Sequence, residues 1–347
     1  MKKQFVRDLR PGDRVLSFFL LRRKQLEPFR DRTRGEFLTL ILSDRTGEIL
    51  ARLWEGAPEV DRRLESRQIV KVLGRVEEYL GQQQIIVEKI RPAKEEEYDL
   101  ADMIPATERN VAQMLEEVRA AIAEVENPHL RALLSSFFDD PEFVARFSQA
   151  PAARRVHHAY LGGLLEHTVE VISLSRHLLT LYPQIHRDLL LTGVLLRDIG
   201  KIREYTWEMG IEYSDEGRLL GHVVMSLEMV DRVLEGMPDF PPDLALRLRH
   251  MIVSHHGQYE WGSPRQPHTL EAAALHFVEN LSAQVNRYQR LIATRRDPSK
   301  PWTEYDPLLG RYLYAGREEE ELAVEEERQL ESSAGRPERE RALWEFP

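Results

Sequence analysis

The feature that most constrains this chain is an apolar run that ends in two opposite charges. Residues 189–196 are almost entirely apolar and are followed at once by Arg197 and Asp198. A run of this length favours a buried helix, and Gly200 predicts a left-handed residue that stops it. A carboxylate delivered to the interior must be paired with, or bound to, a cation. The run therefore predicts that Asp198 lies in a buried site that holds positive charge.

Histidines and one further acid recur in comparable places along the C-terminal half. They follow or interrupt apolar stretches, where a lone histidine is more often a hydrogen-bonded core residue than a ligand. Several of them together with Asp198 predict a metal centre, because imidazole and carboxylate donors without sulfur suit Mn, Fe, Zn, Co or Ni. A carboxylate with histidines on either side fits two metal ions about 3.5–4 Å apart, as in phosphoester hydrolysis. The candidates are His157, His158, His167, His222, His255, His256 and Glu279.

Residues 1–93 follow a different pattern, in which apolar and polar residues alternate in short stretches separated by turn signals. The clearest pair of stretches flanks an Asp-Arg-Thr-Gly turn at residues 44–47, and the second of the pair ends in a tryptophan. Five such stretches without a long helix predict five strands and a small closed barrel. The predicted strands are residues 14–20, 36–42, 48–54, 68–76 and 83–90.

The predicted barrel is basic, although the whole chain carries a formal net charge of −10. Residues 1–93 hold 20 lysines and arginines against 14 acids, whereas residues 317–347 hold 5 against 11. A basic groove with aromatic rings binds single strands, because every base has a π-face. The alternative is that Trp54 fills the barrel and the arginines are solvated. The candidates are Arg22, Arg23, Lys24, Phe29, Arg30, Arg32 and Arg34 in the first long loop, with Arg52 and Trp54 on the third strand.

Pattern and charge divide the chain into four predicted segments. Residues 1–93 form the barrel, and residues 94–156 form a helical connector. Residues 157–315 form a helical domain without a convincing strand. Residues 316–347 form an acidic tail that we expect to be disordered.

Composition excludes several classes of protein. A chain with 42% hydrophobic and 31% charged residues is typical of a soluble globular protein. The absence of cysteine excludes disulfides and thiolate zinc sites. The N-terminus lacks an apolar signal segment, and no apolar run reaches the roughly 18–20 residues that span a bilayer. We therefore expect a cytoplasmic protein without a membrane partner, and the oligomeric state is left open.

The motifs around the histidines resemble those of one known family. Their order is a histidine, a doublet that ends in aspartate, single and paired histidines and a late acid, which resembles the order in HD-domain phosphohydrolases. Residues 37–54 resemble the tRNA-anticodon-binding type of OB-fold, a likeness that covers residues 1–93. Residues 1–315 as a whole are similar to YhaM-type 3′–5′ exoribonucleases, which place an OB-fold before an HD domain. The motifs are Gly-Gly-Leu-Leu-Glu-His-Thr at 162–168, Asp-Ile-Gly-Lys-Ile at 198–202, Asp-Glu-Gly-Arg-Leu-Leu-Gly-His at 215–222 and Ser-His-His-Gly-Gln-Tyr-Glu-Trp-Gly-Ser-Pro at 254–264.

The resemblance implies a multidomain protein, with an N-terminal all-β OB-fold barrel followed by an all-α HD domain. It implies that the barrel binds single-stranded RNA or DNA and that the HD domain hydrolyses the terminal phosphodiester at a 3′ end. One or two divalent metal ions would activate the attacking water, with Mn favoured over Mg, Co, Fe, Ni and Zn. The catalytic residues would be Asp198, Arg197 and Lys201, the last contacting a phosphate or orienting the carboxylate. The metal ligands would be His167, Asp198, His222, His255, His256 and Glu279.

Two positions depart from the family pattern. Arg197 stands where the family has the first histidine of its doublet, and a guanidinium has no lone pair to give to a metal. The family's late Asp-Asn-Leu-Asp-Ala is Glu-Asn-Leu-Ser-Ala here, at residues 279–283. Ser282 therefore removes a second carboxylate, while Glu279 keeps the first with a longer side chain.

Three outcomes follow for the function. In the first, one metal remains, held by Asp198, His222 and the histidine pair at 255 and 256, and activity is weaker. In the second, Arg197 binds the substrate phosphate as a fork and replaces the charge of a metal. In the third, the HD site is inactive and the chain is a non-catalytic nucleic-acid-binding protein. A phosphohydrolase of small nucleotides is a further hypothesis, which the OB-fold disfavours.

Overall fold

The computed structural model describes residues 2–154, 156–295 and 300–316. The described part of the chain divides into two compact units, one within residues 1–283 and the other beginning at residue 284. The barrel and all of the predicted site residues belong to the first unit. Residues 317–347 of the predicted acidic tail lie outside the described residues, so disorder of that segment stays a prediction.

The N-terminal part is a closed barrel of five strands in the order β1-β2-β3-β5-β4. Neighbouring strands are antiparallel except β3 and β5, which pair in parallel. A short helix, α1, Ala57–Arg63, follows β3. The five-stranded barrel that the sequence predicted is confirmed. Its strands are β1 Arg14–Pro28, β2 Glu36–Asp44, β3 Gly47–Leu53, β4 Gln68–Tyr79 and β5 Gln82–Pro92.

Alternating side chains fill the barrel. On β2, Leu38, Leu40 and Leu42 are fully buried, while the residues between them are more exposed. This is the periodicity of two that a half-buried strand requires. Gly74 lies where the register between β4 and β5 shifts, and a Cβ atom there would lie 2.4 Å from the carbonyl oxygen of Ile86. Bulges bend strands, so this glycine lets β4 curve around the barrel.

The first strand is longer than predicted, which corrects the position of three basic candidates. β1 continues to Pro28 and pairs with β2 along this extension. Arg22, Arg23 and Lys24 therefore lie in a strand and not in a loop. The alternation is hidden here because long charged side chains cover the barrel with their apolar stems and keep their charges in water. The remaining loop candidates follow the strand, and they are Phe29, Arg30, Arg32 and Arg34.

Helices dominate the rest of the described chain, as predicted. They share one apolar core, which includes Leu134, Phe147, Leu190 and Leu248 and reaches the first turns of the last helix. No described helix is both long and apolar enough to cross a membrane. The helices are α2 Val111–Ala123, α3 Pro128–Phe138, α4 Pro141–Gln149, α5 Gly163–Leu181, α6 Arg187–Leu196, α7 Lys201–Glu204, α8 Asp215–Glu235, α9 Pro242–Ser254 and α10 Leu270–Ala293.

A short ribbon interrupts the helices, and the sequence did not predict it. β6, Tyr205–Thr206, pairs with β7, Glu212–Tyr213, in antiparallel fashion. Two residues in each strand are too few to show an alternating pattern, so periodicity could not reveal the ribbon. Met209 in its turn packs against an apolar cluster that contains Leu20 and Ile69 of the barrel. The ribbon thereby links the helical domain to the barrel.

Candidate metal centre and nucleic-acid surface

Asp198 lies at the centre of a buried site, two residues beyond the end of α6. The helix is buried from its second residue onward, so its C-terminal end lies inside the core, and Asp198 is 1% exposed. Oδ1 of the carboxylate lies 3.5 Å from Nε2 of His222 and 3.5 Å from Nε2 of His255. Nζ of Lys201 lies 3.1 Å from the same oxygen. The structure thus brings together four of the predicted site residues.

Three histidines on this side of the carboxylate, His222, His255 and His256, form what we call the histidine side. Nδ1 of His222 lies 3.0 Å from Oε1 of Glu204, and Nδ1 of His255 and of His256 lie 2.8 and 2.9 Å from main-chain carbonyl oxygens. Those oxygens accept, so each Nδ1 donates, and in a neutral ring the lone pair is then on Nε2. The Nε2 atoms of His222 and His256 lie 3.2 Å apart. Two lone pairs at that separation repel unless a proton or a metal ion lies between them, and the three donor atoms together fit a divalent metal ion.

Two glycines let His222 approach Asp198. Gly200 has helical angles, with φ −63°, so the predicted left-handed stop is wrong. Glycine is required there for another reason, because a Cβ atom would lie 2.4 Å from the carbonyl oxygen of His222 and 2.7 Å from the amide nitrogen of Ser226. Gly221 has φ +74° and kinks α8 immediately before His222. The kink and the close contact together bring the first half of α8 onto the Asp198 turn.

Burial and charge set the protonation states that a metal would need. Burial is the main cause that lowers the pKa of His256, to about 2. Burial, and then the charge of Arg197, hold the pKa of His167 well below its usual range. Burial alone would raise the pKa of Asp198, but the charges of Lys201 and Arg197 hold it well below its usual range. Neutral imidazoles and an ionised carboxylate are the forms that bind metals.

The other oxygen of Asp198 faces a different set of residues, Arg197, His167 and Glu279, which we call the arginine side. Oδ2 lies 3.4 Å from Nε of Arg197 and 4.0 Å from Nε2 of His167. Nε2 of His167 also lies 3.6 Å from Oε1 of Glu279. Arg197 is fully buried, and its Nη1 donates to the carbonyl oxygen of Val194 at 2.6 Å. A guanidinium therefore lies where the family has a metal-ligating histidine.

Ser282, the second departure from the family pattern, fixes the orientation of His167. Its hydroxyl donates to Oε2 of Glu170 at 2.5 Å. The Ser282 oxygen also lies 3.0 Å from Nδ1 of His167. Because the hydroxyl proton is already donated to Glu170, the Ser282 oxygen accepts a hydrogen bond from Nδ1. His167 thus turns an unprotonated Nε2 toward Glu279 and Asp198. The serine replaces a carboxylate but keeps the histidine in a defined tautomer.

Sequence reasoning missed two residues around the centre, Glu204 and His276. Glu204, which is 5% exposed, accepts from the main-chain nitrogen of His222 at 3.1 Å, besides its contact with the ring. Nothing in the sequence marked this acid as buried. His276 donates from Nδ1 to the carbonyl oxygen of His255 at 2.9 Å, and its spacing of three from Glu279 was a usable signal. The candidate His157, by contrast, was named from the sequence, and it offers a donor atom within 4.8 Å of donors of His167 and Glu279.

The barrel carries a surface of three aromatic rings, Phe29, Phe37 and Trp54, which we call the aromatic platform. The ring centroids lie 5.0–5.7 Å apart, and Trp54 stacks on Phe29. Arg34 lies 4.5 Å from the ring of Phe29, and Arg52 lies 5.6 Å from that of Trp54. Trp54 is half-buried and is not part of the aliphatic barrel core. Phe37 was missed, although the pairing of β2 with β3 puts it beside Trp54.

The remaining basic candidates divide into two groups. Lys24 forms an ion pair of 2.8 Å with Asp61, and Arg22 lies 3.5 Å from Glu48 and against Gly210 of the ribbon turn. These two side chains serve contacts within the protein. The others are exposed on the barrel surface, and they are Arg23, Arg30 and Arg32.

Two family models agree with this architecture. The model of an OB-fold nucleic acid binding domain matches residues 20–93, and the HD domain model matches residues 164–284. The 3′–5′ exoribonuclease YhaM of Geobacillus sp. (strain WCH70) is 35% identical over 257 residues, which cover 74% of this chain and 78% of that protein. The 3′–5′ exoribonuclease YhaM of Bacillus velezensis (strain DSM 23117 / BGSC 10A6 / LMG 26770 / FZB42) is also 35% identical over 257 residues, or 74% and 81% of the two chains. The second OB-fold domain of replication protein A from Methanococcus maripaludis is 23% identical, with 27% of this chain and 97% of that chain covered and a TM-score of 0.23.

An OB-fold ahead of a buried histidine–aspartate centre defines an HD-domain protein with a nucleic-acid-binding module. This chain belongs to the YhaM-type family. The predicted fold class, an OB-fold barrel followed by a helical HD domain, is confirmed. The HD domain implies a divalent metal ion, for which the histidine side supplies suitable donors.

Proposed function

We propose that this protein is a metal-dependent 3′–5′ exoribonuclease. Its barrel holds single-stranded RNA, and its HD domain removes nucleotides from the 3′ end. The observation that carries the proposal is the set of three neighbouring imidazoles, each with Nδ1 held by an acceptor, beside the buried carboxylate of Asp198. The two relatives that are 35% identical to this chain bear the name of this activity.

A divalent metal ion would be held by Asp198, His222, His255 and His256. When bound, such an ion activates a water molecule and polarises a phosphoryl oxygen. The donors mix imidazole with carboxylate and include no sulfur, a set that suits several of the candidates Mn, Mg, Co, Fe, Ni and Zn. Among these we propose Mn. Glu204 supports the site from outside by holding His222 in the tautomer that leaves Nε2 free to coordinate.

The remaining residues of the centre orient the reacting groups. Lys201, 3.1 Å from Oδ1, keeps Asp198 ionised and fixes the position of its carboxylate. Arg197, His167 and Glu279 line the opposite side, where the scissile phosphate would bind. Water attacks the terminal phosphorus, the bond to the 3′ oxygen of the preceding nucleotide breaks, and the last nucleotide leaves as a nucleoside 5′-monophosphate.

The aromatic platform would hold bases upstream of the cleaved end. Rings of Phe29, Phe37 and Trp54 offer stacking surfaces to any base, and Arg34 and Arg52 lie beside them to meet phosphates. Such stacking reads no sequence and does not separate RNA from DNA. We choose RNA because the relatives are exoribonucleases by name.

The test is degradation of a single-stranded RNA with a 5′ label by the full chain in the presence of Mn²⁺. Wild type should give a descending ladder of products and release nucleoside 5′-monophosphates. The Asp198→Ala variant should be inactive, whereas Asp239→Ala, at an exposed aspartate, should match wild type. A wild-type protein that binds the RNA but leaves it intact with each of the six metals would refute the enzyme assignment and leave a binding protein.

A further inference from the structure

The carboxylate of Asp198 is divided between two kinds of partner. Oδ1 faces the Nε2 atoms of His222 and His255, which carry lone pairs and suit a metal ion. Oδ2 faces the guanidinium of Arg197, whose Nε lies 3.4 Å away. One oxygen thus meets electron-pair donors and the other meets a fixed positive charge.

Two hydrogen bonds to the end of α6 hold Arg197 in this position. Nη1 donates to the carbonyl oxygen of Val194 in the last turn of α6, at 2.6 Å, and the main-chain nitrogen donates to Gly193 at 2.9 Å. The side chain is fully buried. A guanidinium stays protonated inside proteins. The arginine side therefore has a permanent cation next to Oδ2.

One nitrogen of this guanidinium indicates that a ligand binds here. Nη2 of Arg197 is buried and has no hydrogen-bond partner among the described residues. Nε2 of His167, on the same side, likewise has none within the described part of the chain. A buried charged donor without an acceptor is costly, and a phosphate oxygen is a strong acceptor for a guanidinium N–H. The donor is thus arranged for an anion that arrives with the substrate.

We propose that Arg197 is the second cation of this centre, in place of a second metal. The chain binds one divalent ion, on the histidine side, and Nη2 of Arg197 binds a non-bridging oxygen of the terminal phosphate. The proposal rests on the proposed function for the identity of that phosphate. A second divalent ion is opposed by the charge of Arg197 in a buried site and gains no lone pair from it, although His157, His167 and Glu279 place donor atoms close together there.

The first test counts metal ions. The full chain is freed of metal with a chelator, titrated calorimetrically with Mn²⁺ and analysed for bound metal after desalting. We expect one ion per chain in wild type and two in Arg197→His, which restores a donor beside His167 and Glu279. Two ions in wild type would overturn the proposal, since His157, His167 and Glu279 would then hold the second. A single ion in Arg197→His would also overturn it.

Two further measurements separate a change in metal binding from a folding defect. Thermal melting of Arg197→His compares its stability with wild type. The Arg197→Lys variant keeps the charge and should still bind one ion, so two ions in that variant would contradict the role of charge. The wild-type count stands whatever happens to the variants.

The second test concerns the phosphate. Adenosine 5′-monophosphate, the product of cleavage at an adenosine, is titrated into the Mn²⁺-loaded protein. Arg197→Met should weaken its binding about 10-fold or more, whereas Arg232→Met, at an exposed arginine of α8, should leave it unchanged. Equal binding by Arg197→Met and wild type would refute the phosphate contact. Neither test needs turnover, so a protein that binds one ion but degrades no RNA would end the proposed function and not this assignment.

Discussion

The two sides of Asp198 contrast in what they offer to a ligand. The histidine side presents Nε2 atoms whose tautomers are set by acceptors behind them, one of them Glu204. The arginine side keeps His167 and Glu279 but adds the buried guanidinium of Arg197. The histidine side needs a bound cation, whereas the arginine side already contains the cation of Arg197.

The contrast shows that the residues on one side of such a centre can differ from the family pattern while the surrounding fold is kept. α5, α6, α8, α9 and α10 still bring all the predicted site residues of the HD domain to one place. Positive charge is kept on the arginine side, but its source is the chain itself. The neighbouring departure, Ser282, maintains the tautomer of His167 without adding a negative charge.

The largest effect should follow a change at the carboxylate that both sides share. Asp198→Asn keeps the shape of the side chain but removes its charge, so the metal loses a ligand and Arg197 loses its partner. We expect kcat for single-stranded RNA to fall on the order of 10³-fold, about 4 kcal/mol in the activation barrier. Steady-state kinetics measures this, and circular dichroism verifies the fold. A variant with more than a tenth of wild-type kcat contradicts a central role for Asp198.

A matched pair of histidine variants separates the two sides. His222→Ala removes a metal donor, so Mn²⁺ affinity should fall at least about 100-fold, beyond what loss of an outer partner costs. His167→Ala should leave Mn²⁺ affinity within about twofold while lowering activity, because that ring faces the arginine side. Calorimetric titration of both variants with Mn²⁺ provides the comparison. If His167→Ala weakens metal binding as much as His222→Ala does, the two sides are not different in kind.

A smaller effect should follow a change behind the histidine side. Glu204→Gln removes the charge that faces Nδ1 of His222, and outer-shell changes of this kind cost about 10–100-fold in metal affinity. We expect about a 30-fold loss of Mn²⁺ affinity with the number of bound ions unchanged. Glu235→Gln, at an exposed position of α8, the helix that carries His222, is the control and should behave like wild type. Unchanged affinity in Glu204→Gln would show that Glu204 does not tune the ligand.

The smallest effect should come from the barrel, which belongs to neither side. Trp54→Ala removes one ring of the aromatic platform, and one stacked base is worth about 1–3 kcal/mol. We expect KM for RNA to rise about 10-fold while kcat and Mn²⁺ affinity stay the same. Tyr79→Ala, at an exposed aromatic residue of β4 outside the platform, is the matched control. A fall in kcat without a change in KM would show that Trp54 acts in the catalytic step and not in RNA binding. The barrel would then not be separate from the two sides of Asp198.

Much of this arrangement could be predicted from the sequence, because its signals are local. The apolar run before Asp198 marks a buried carboxylate, and the histidines mark helix ends. Alternation marks the barrel, although charged stems hid the second half of β1. What the sequence could not show are contacts made across the fold. Glu204 resembles a solvated acid at a helix end, and its burial depends on α8 packing over it.

The role of Gly200 illustrates the same limit. The residue type suggests a left-handed stop, but the structure uses glycine for a close approach to His222. A left-handed stop and a close approach both require glycine, so the residue type does not distinguish them. The contact of Gly200 with α8 does. The division of Asp198 into two sides likewise depends on where Arg197 points, which no sequence pattern records.

The most direct test of the central claim is anomalous diffraction from crystals of the full chain soaked in Mn²⁺. The account predicts one anomalous peak per chain, among Asp198, His222, His255 and His256. A second peak of comparable height, beside His167 and Glu279, would show that Arg197 does not replace a metal and would contradict the account.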